Sequence, residues 1–102
     1  MAWRVRVRPE AQSDIVEAAR WYESKSTGLG KIFVEEVLTV LDALTSNPLL
    51  SSRRHPTKDI RWRYPERFPY KVIYEVLERD KTVVVAAVLH AARHDRSWRD
   101  RI

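Results

Sequence analysis

The run Thr82-Val83-Val84-Val85-Ala86-Ala87-Val88-Leu89 carries no charge and no polar alternation. A strand with one wet face alternates apolar and polar side chains, whereas an unbroken apolar run belongs in a central strand covered on both faces. In a chain of 102 residues this constraint dominates the rest. A chain of this size buries roughly two thirds of its unfolded surface, so one modest core and one domain spanning residues 1–102 are expected.

The segments around that run look like its neighbours. Tyr70, Val72, Tyr74 and Val76 alternate with Lys71, Ile73, Glu75 and Leu77, which makes a strand with both tyrosines on one face and Lys71 on the other. Glu78-Arg79-Asp80-Lys81 is the polar turn that joins it to the apolar run, and Ile60, Trp62 and Tyr64 alternate with Arg61 and Arg63 just upstream. That alternation predicts a further strand with its aromatics inward and its arginines outward. Arg61, Arg63 and Lys71 are then expected on one face, joined by Arg93 beyond the last strand. Trp3, Val5 and Val7 alternate with Arg4, Arg6 and Arg8, predicting an N-terminal strand.

Between the strands lie two helices. Pro9 suits a first helical turn, where its missing N–H costs nothing, and Ala11, Ile15, Ala18 and Tyr22 recur at spacings of four, three and four along one face. Glu10, Asp14 and Glu17 place negative charge toward the start of that helix. Ser24 to Gly30 reads as a turn, and the second helix buries Phe33, Val37, Val40 or Leu41, and Leu44 before Pro48 stops it. Leu49 to Asp59, rich in Ser, Arg and Pro, is a surface loop. The predicted class is α+β: an N-terminal strand, an antiparallel two-helix hairpin, and a three-strand antiparallel meander completing one sheet packed on the helices.

Charge is unevenly distributed. Residues 1–50 carry six Lys/Arg against seven Asp/Glu, residues 51–102 thirteen against seven, so the basic excess lies with the meander and tail. Such asymmetry points to an anionic partner, nucleic acid or an acidic protein segment, or else to simple solubilisation of a small sheet. With no cysteine there are no disulfides or thiolate metal sites, as suits a reducing cytoplasm. The N-terminus lacks the apolar stretch of a signal peptide, and the longest apolar run falls far short of the roughly 20 residues of a membrane span. A soluble cytoplasmic protein is expected. No metal or cofactor is expected either: His55, His90 and His94 lack companions at ligand spacing, and no Gly-rich phosphate loop is present.

The pattern F-P-Y-x-x-x-Y, followed by an apolar strand ending in His90-x-x-Arg93 and by Trp98, resembles the RelE/ParE family of bacterial type II toxins, ParE-like members most closely. The similarity continues upstream through Pro9-Glu10-Ala11, Asp14-Ile15, Trp21-Tyr22, Gly28-Leu29-Gly30, Phe33 and Asn47-Pro48. The resemblance implies one antiparallel sheet wrapped on a two-helix hairpin, and a cognate antitoxin whose flexible tail folds along the toxin and which alone carries operator-DNA binding. The helix hairpin and an open sheet edge are the natural docking places.

Two activities follow from the resemblance. In RelE-like members, basic residues on the later strands hold the scissile phosphate of ribosome-bound mRNA while the ribose 2′-OH attacks, which makes Arg61, Arg63, Lys71, His90 and Arg93 the catalytic candidates. This chain departs from that pattern, since His90 is followed by Ala91-Ala92 and no tyrosine follows Tyr74. His94 and Asp95 are conceivable substitutes, although a His-Asp pair in a charged tail is ordinarily a solvated turn. ParE-like members instead act on DNA gyrase and need recognition residues only, here Arg61, Arg63, Arg93, Arg96, Trp98, Arg99 and Arg101, while a partly exposed Trp21 is available to an antitoxin. A third possibility is a regulatory member that acts only in antitoxin and operator binding, without toxicity. Trp98 is either an anchor into a partner or a lid on the protein's own sheet, and the cost of wetting an indole favours the lid.

Overall fold

A computed structural model describes residues 2–93 and 97–102. Strand β1 (Arg4–Val7) leads into helices α1 (Pro9–Lys25) and α2 (Leu29–Leu44), followed by β2 (Ile60–Arg63), β3 (Tyr70–Leu77) and β4 (Thr82–His90). A 3-10 turn at Glu78–Asp80 joins β3 to β4, and another covers Ser97–Arg101. The four strands lie in the order β1-β4-β3-β2, so the apolar run is interior, as expected. The β2–β3–β4 meander is antiparallel, but β1 runs parallel to β4, with Val5 opposite Val83 and Val7 opposite Val85. The sheet is therefore mixed, where the resemblance implied an antiparallel one. Parallel neighbours need a long crossover, and here both helices and two strands supply it.

Strand β4 is covered on both faces by two separate clusters. Val83, Val85 and Val88 pack toward the helices with Tyr74, Phe33, Val37 and Leu44, whereas Ala87 and Leu89 pack away from them with Ile60, Ile73 and Trp98. The pairing of β3 with β4 shifts between Ile73–Ala87 and Tyr74–Val85, leaving Ala86 as an extra residue. A bulge of this kind resets which side chains face which way, and it brings Val88 back to the helix side.

The helix-side core is aromatic at one end. Tyr22 stacks on Phe33 at 5.4 Å between centroids, and Phe68 and Tyr70 meet Phe33 edge-on at 5.1 and 5.0 Å. Tyr74 is fully buried, and its hydroxyl donates to the Pro48 carbonyl at 2.8 Å. Both tyrosines of β3 thus face the helices, as their alternation required. The turn between the helices is shorter than expected, because Gly30 lies inside α2. A Cβ there would stand 2.5 Å from the Ala19 carbonyl oxygen, so glycine lets the two helices touch. From α1, the Glu23 carboxylate accepts the Gly28 and Gly30 amides at 2.9 and 3.0 Å, capping a helix start whose Gly28 has φ of 89°.

Strand β2 reverses the expected facing. Register places Arg61 opposite Tyr74 and Arg63 opposite Val72, on the helix side, while Trp62 lies opposite Ile73 on the far side. Ile60 and Trp62 belong to the far-side cluster, and Tyr64, beyond the strand, is half exposed. The physical reason is that the far face has only a short 3-10 turn above it and draws on β2 for cover. The arginines gain hydrogen-bond acceptors in the loop before β2. Among the described residues, no helix is long and apolar enough to cross a membrane.

Candidate functional site

Helix α1 and the adjoining ends of β3 and β4 enclose a cleft of about 440 Å³. Trp21, Tyr22, Asp14 and Glu17 line it from α1, and Tyr70, His90 and Arg93 from the sheet end. The edge of the meander delivers these residues together because Tyr70 and His90 are paired in register at the last rung of β3 and β4. Their rings meet edge-on at 5.3 Å.

Among the described residues, burial and the Arg93 cation set the cleft's chemistry. Burial pushes the Tyr70 hydroxyl above its ordinary pKa, the neighbouring Tyr22 and Glu17 add to the effect, and Arg93 opposes it. Tyr22 is pushed upward by burial as well. Both phenols therefore stay protonated at neutral pH and serve as hydrogen-bonding groups rather than bases. His90 Nδ1 accepts the Ala92 amide at 3.0 Å, closing a turn in which the Arg93 amide donates to the His90 carbonyl at 3.0 Å. The strand-end histidine thus has a backbone N–H as the partner of its Nδ1. Trp21 is 54% exposed on the rim, with Lys25 Nζ 5.0 Å from its ring centroid.

The other sequence-predicted residues do not join this cleft. Arg61 donates to Asp59 at 2.7 Å and to the carbonyls of Leu49 and Ser51 at 2.8 and 2.5 Å, fastening the loop before β2. Arg63 donates from Nε to the Ser51 hydroxyl at 3.2 Å, while its Nη2 is buried without a partner. Lys71 lies on the opposite side of the sheet, its Nζ 4.6 Å from the Trp62 centroid. The expected convergence of Arg61, Arg63, Lys71 and Arg93 on one patch is therefore not found, because β2 turns its arginines to the helix side and β3 turns Lys71 away from it.

Trp98 takes the lid position. It is 8% exposed and meets Trp62 edge-on at 6.3 Å, sealing the far-side cluster. Arg99 is exposed beside it, whereas Arg101 is a fastening rather than a free recognition group. Arg101 Nη1 donates to Asp14 Oδ2 at 2.7 Å and to the Ala86 carbonyl at 2.9 Å, and the same carboxylate oxygen accepts the Val88 amide at 3.0 Å. Strand β1 ends opposite Val85, so β4 beyond that point has no strand on this edge, and the Asp14–Arg101 pair satisfies the backbone groups left there. Sequence reasoning read Asp14 only as helix-terminal charge, although its spacing of three from Ala11 and four to Ala18 places it on the buried stripe. Arg96, His94 and Asp95 lie outside the described residues.

The family profile described as the ParE toxin of type II toxin-antitoxin systems, parDE, matches residues 5–95. No curated protein sequence matches significantly. Among solved structures, the chain is similar to one from the chromosomal ParDE system of P. aeruginosa, with a TM-score of 0.72 at 14% identity, covering 87% of this chain and 96% of that one. It is similar also to one from the RelBE2 toxin-antitoxin complex of Mycobacterium tuberculosis, at TM-score 0.62 and 19% identity over 88% and 99% of the two chains. The isolated RelE toxin of E. coli aligns at TM-score 0.61 and 14% identity over 97% and 95%. At these identities the structural likenesses establish the fold: two helices on a four-stranded sheet.

Proposed function

Since the chain belongs to the ParE toxin family of type II toxin-antitoxin systems, we propose that it arrests growth in the cytoplasm by binding DNA gyrase and stabilising the enzyme's cleaved complex with DNA. The observation that carries this reading is the dispersal of the cations a nuclease centre would gather. Arg61 and Arg63 are spent on the protein's own loop, and Lys71 stands across the sheet from the cleft. Phosphoryl chemistry needs its charge stabilisers and proton-transfer groups at one point, held in place before the reaction starts. A protein that binds and traps another enzyme needs a surface only, and the Trp21, Tyr70 and Arg93 cleft is one.

The partner that restrains it is a cognate antitoxin whose flexible tail folds on the toxin. Two features support this: β2 is an open sheet edge, and Tyr64 just beyond it is half exposed in a groove shared with Val40 and Ala43 of α2. An open edge offers unpaired backbone groups, and apolar side chains beside it offer an amphipathic segment a seat.

A second reading, a ribosome-dependent endoribonuclease, draws on His90 and Arg93 sharing the cleft with Tyr70. One experiment separates the two. The protein is induced without antitoxin, and purified material is assayed on gyrase supercoiling and cleavage beside mRNA cleavage on translating ribosomes. The gyrase reading expects arrested replication and trapped gyrase–DNA complexes, both retained in His90→Gln. Codon-phased mRNA cuts that vanish in His90→Gln, with gyrase untouched, would replace it by the nuclease, since a positioned proton-transfer group contributes about 10² to 10⁴-fold.

A further inference from the structure

On the side of the sheet away from the helices, two cations share one indole. The Arg54 guanidinium carbon lies 4.8 Å and Lys71 Nζ 4.6 Å from the Trp62 ring centroid. Trp98 packs edge-on against Trp62, and the Arg99 guanidinium carbon stands 5.1 Å from the Trp98 centroid. A loop, a strand and the tail thus bring three positive side chains around two tryptophans that meet edge-on. Within the described residues, five arginines have carboxylate partners: Glu10 for Arg8, Asp59 for Arg53 and Arg61, Glu36 for Arg67, and Asp14 for Arg101. Among the described residues, Arg54, Lys71 and Arg99 form no such pair.

Two cations over one ring are held within about 10 Å of each other, the screening length at ordinary salt, so they repel. An exposed cation–π contact returns only about 0.5–1 kcal/mol apiece. The patch carries three cations and no carboxylate partner for them, and successive phosphates of a nucleic-acid backbone would each receive a charge-assisted hydrogen bond here.

We infer that this patch is a contact site for the phosphodiester backbone of duplex DNA. The indoles decide between duplex and single strand. Proteins that hold single strands stack bases on open aromatic faces. Here cations already sit over Trp62, and Trp98 is 8% exposed beneath the tail, so neither ring is a platform for bases. No helix or strand is offered to a groove for base reading at this point, and contacts to phosphate alone position a protein without reading sequence. The setting rests on the gyrase reading, in which a trapped enzyme–DNA complex puts duplex beside the bound toxin.

The test is fluorescence anisotropy of the full chain with a labelled duplex of arbitrary sequence over a salt series, in parallel with a single-stranded RNA of the same length. The expected plot of log affinity against log salt has a slope between about −2 and −3, at about −0.9 for each phosphate neutralised. Arg54→Ala and Lys71→Gln should each reduce its magnitude by about one, with unfolding curves confirming that both variants fold, while Arg20→Ala on α1 leaves it unchanged. An unchanged slope in the Arg54→Ala/Lys71→Gln double variant would overturn the inference, as would tighter binding of the RNA through the same residues. The outcomes separate from those of the gyrase reading. Gyrase trapped by a protein that shows no salt-dependent duplex binding removes the patch alone, and duplex binding with gyrase unaffected removes the gyrase reading alone.

Discussion

Arg101 and Asp14, 87 positions apart in the chain, are joined at 2.7 Å with the bulge of β4 between them. The pair ties the tail to α1 and satisfies two backbone groups of β4 that lie beyond the end of β1. Both side chains are less than a fifth exposed, so removing either leaves the other's charge poorly solvated. Asp14→Ala should cost about 3 kcal/mol in urea unfolding, because it strands a guanidinium and a backbone N–H together. Asp14→Asn keeps an acceptor for the Val88 amide and should cost distinctly less. Equal losses in the two variants would show that the backbone bond contributes nothing.

The close approach of the helices gives a sharper test. In Gly30→Ala the new methyl would stand 2.5 Å from a backbone oxygen that no rotamer change can move. A loss of about 1–3 kcal/mol is expected by denaturant titration, the usual range for an overpacked contact. Stability equal to or above the parent would mean that the helices part without strain.

Tyr74→Phe deletes one buried hydroxyl and orphans the Pro48 carbonyl. The expected cost is about 1–2 kcal/mol, with the loop that follows α2 becoming more open to proteolysis. Protease resistance matching that of the parent would argue that Arg61 alone holds the loop.

Burial raises the pKa of Tyr22 and of Tyr70 above the ordinary value of 10.0. As pH climbs past that value the unfolded chain loses these protons before the folded one does. The folded state then binds more protons, and stability falls with rising pH. Below about pH 10 the contribution is intact, and above it thermal unfolding should shift downward. Tyr70→Phe should flatten that decline, a difference readable in melting curves at alkaline pH.

As a functional expectation, Arg93→Ala should abolish growth arrest while antitoxin affinity stays within about tenfold, or about 1.4 kcal/mol, because the cleft and the β2 edge lie on different parts of the surface. Growth arrest undiminished in that variant would move the target-binding surface elsewhere.

Much of this fold is readable before any coordinates. The polar-free run of β4 demanded cover on both faces, the alternation of Tyr70 to Leu77 placed both tyrosines, and the spacing of Ala11 to Tyr22 marked the buried stripe of α1. Alternation in β2 separated its residues correctly into two sets and assigned the sets to the wrong faces. Period two distinguishes faces without naming the inner one, and here both faces of the sheet are apolar. The candidate site suffered from the same ambiguity, since a reversed β2 carries Arg61 and Arg63 away from Lys71. The bulge at Ala86 left no mark in a stretch where every neighbour is apolar. Arg54 drew no notice because a loop arginine acquires meaning only from the ring it covers.

The parallel seam between β1 and β4 has a consequence for biosynthesis. Among the described residues, β1 finds its one sheet partner in β4, the strand farthest from it along the chain. Until that late segment emerges, β1 has no ladder to join, and the β4 bulge has no Asp14–Arg101 clamp. Distant pairings of this sort close late and slowly in folding. The cleft between α1 and the ends of β3 and β4 is therefore complete only once β4 has taken its place beside β1.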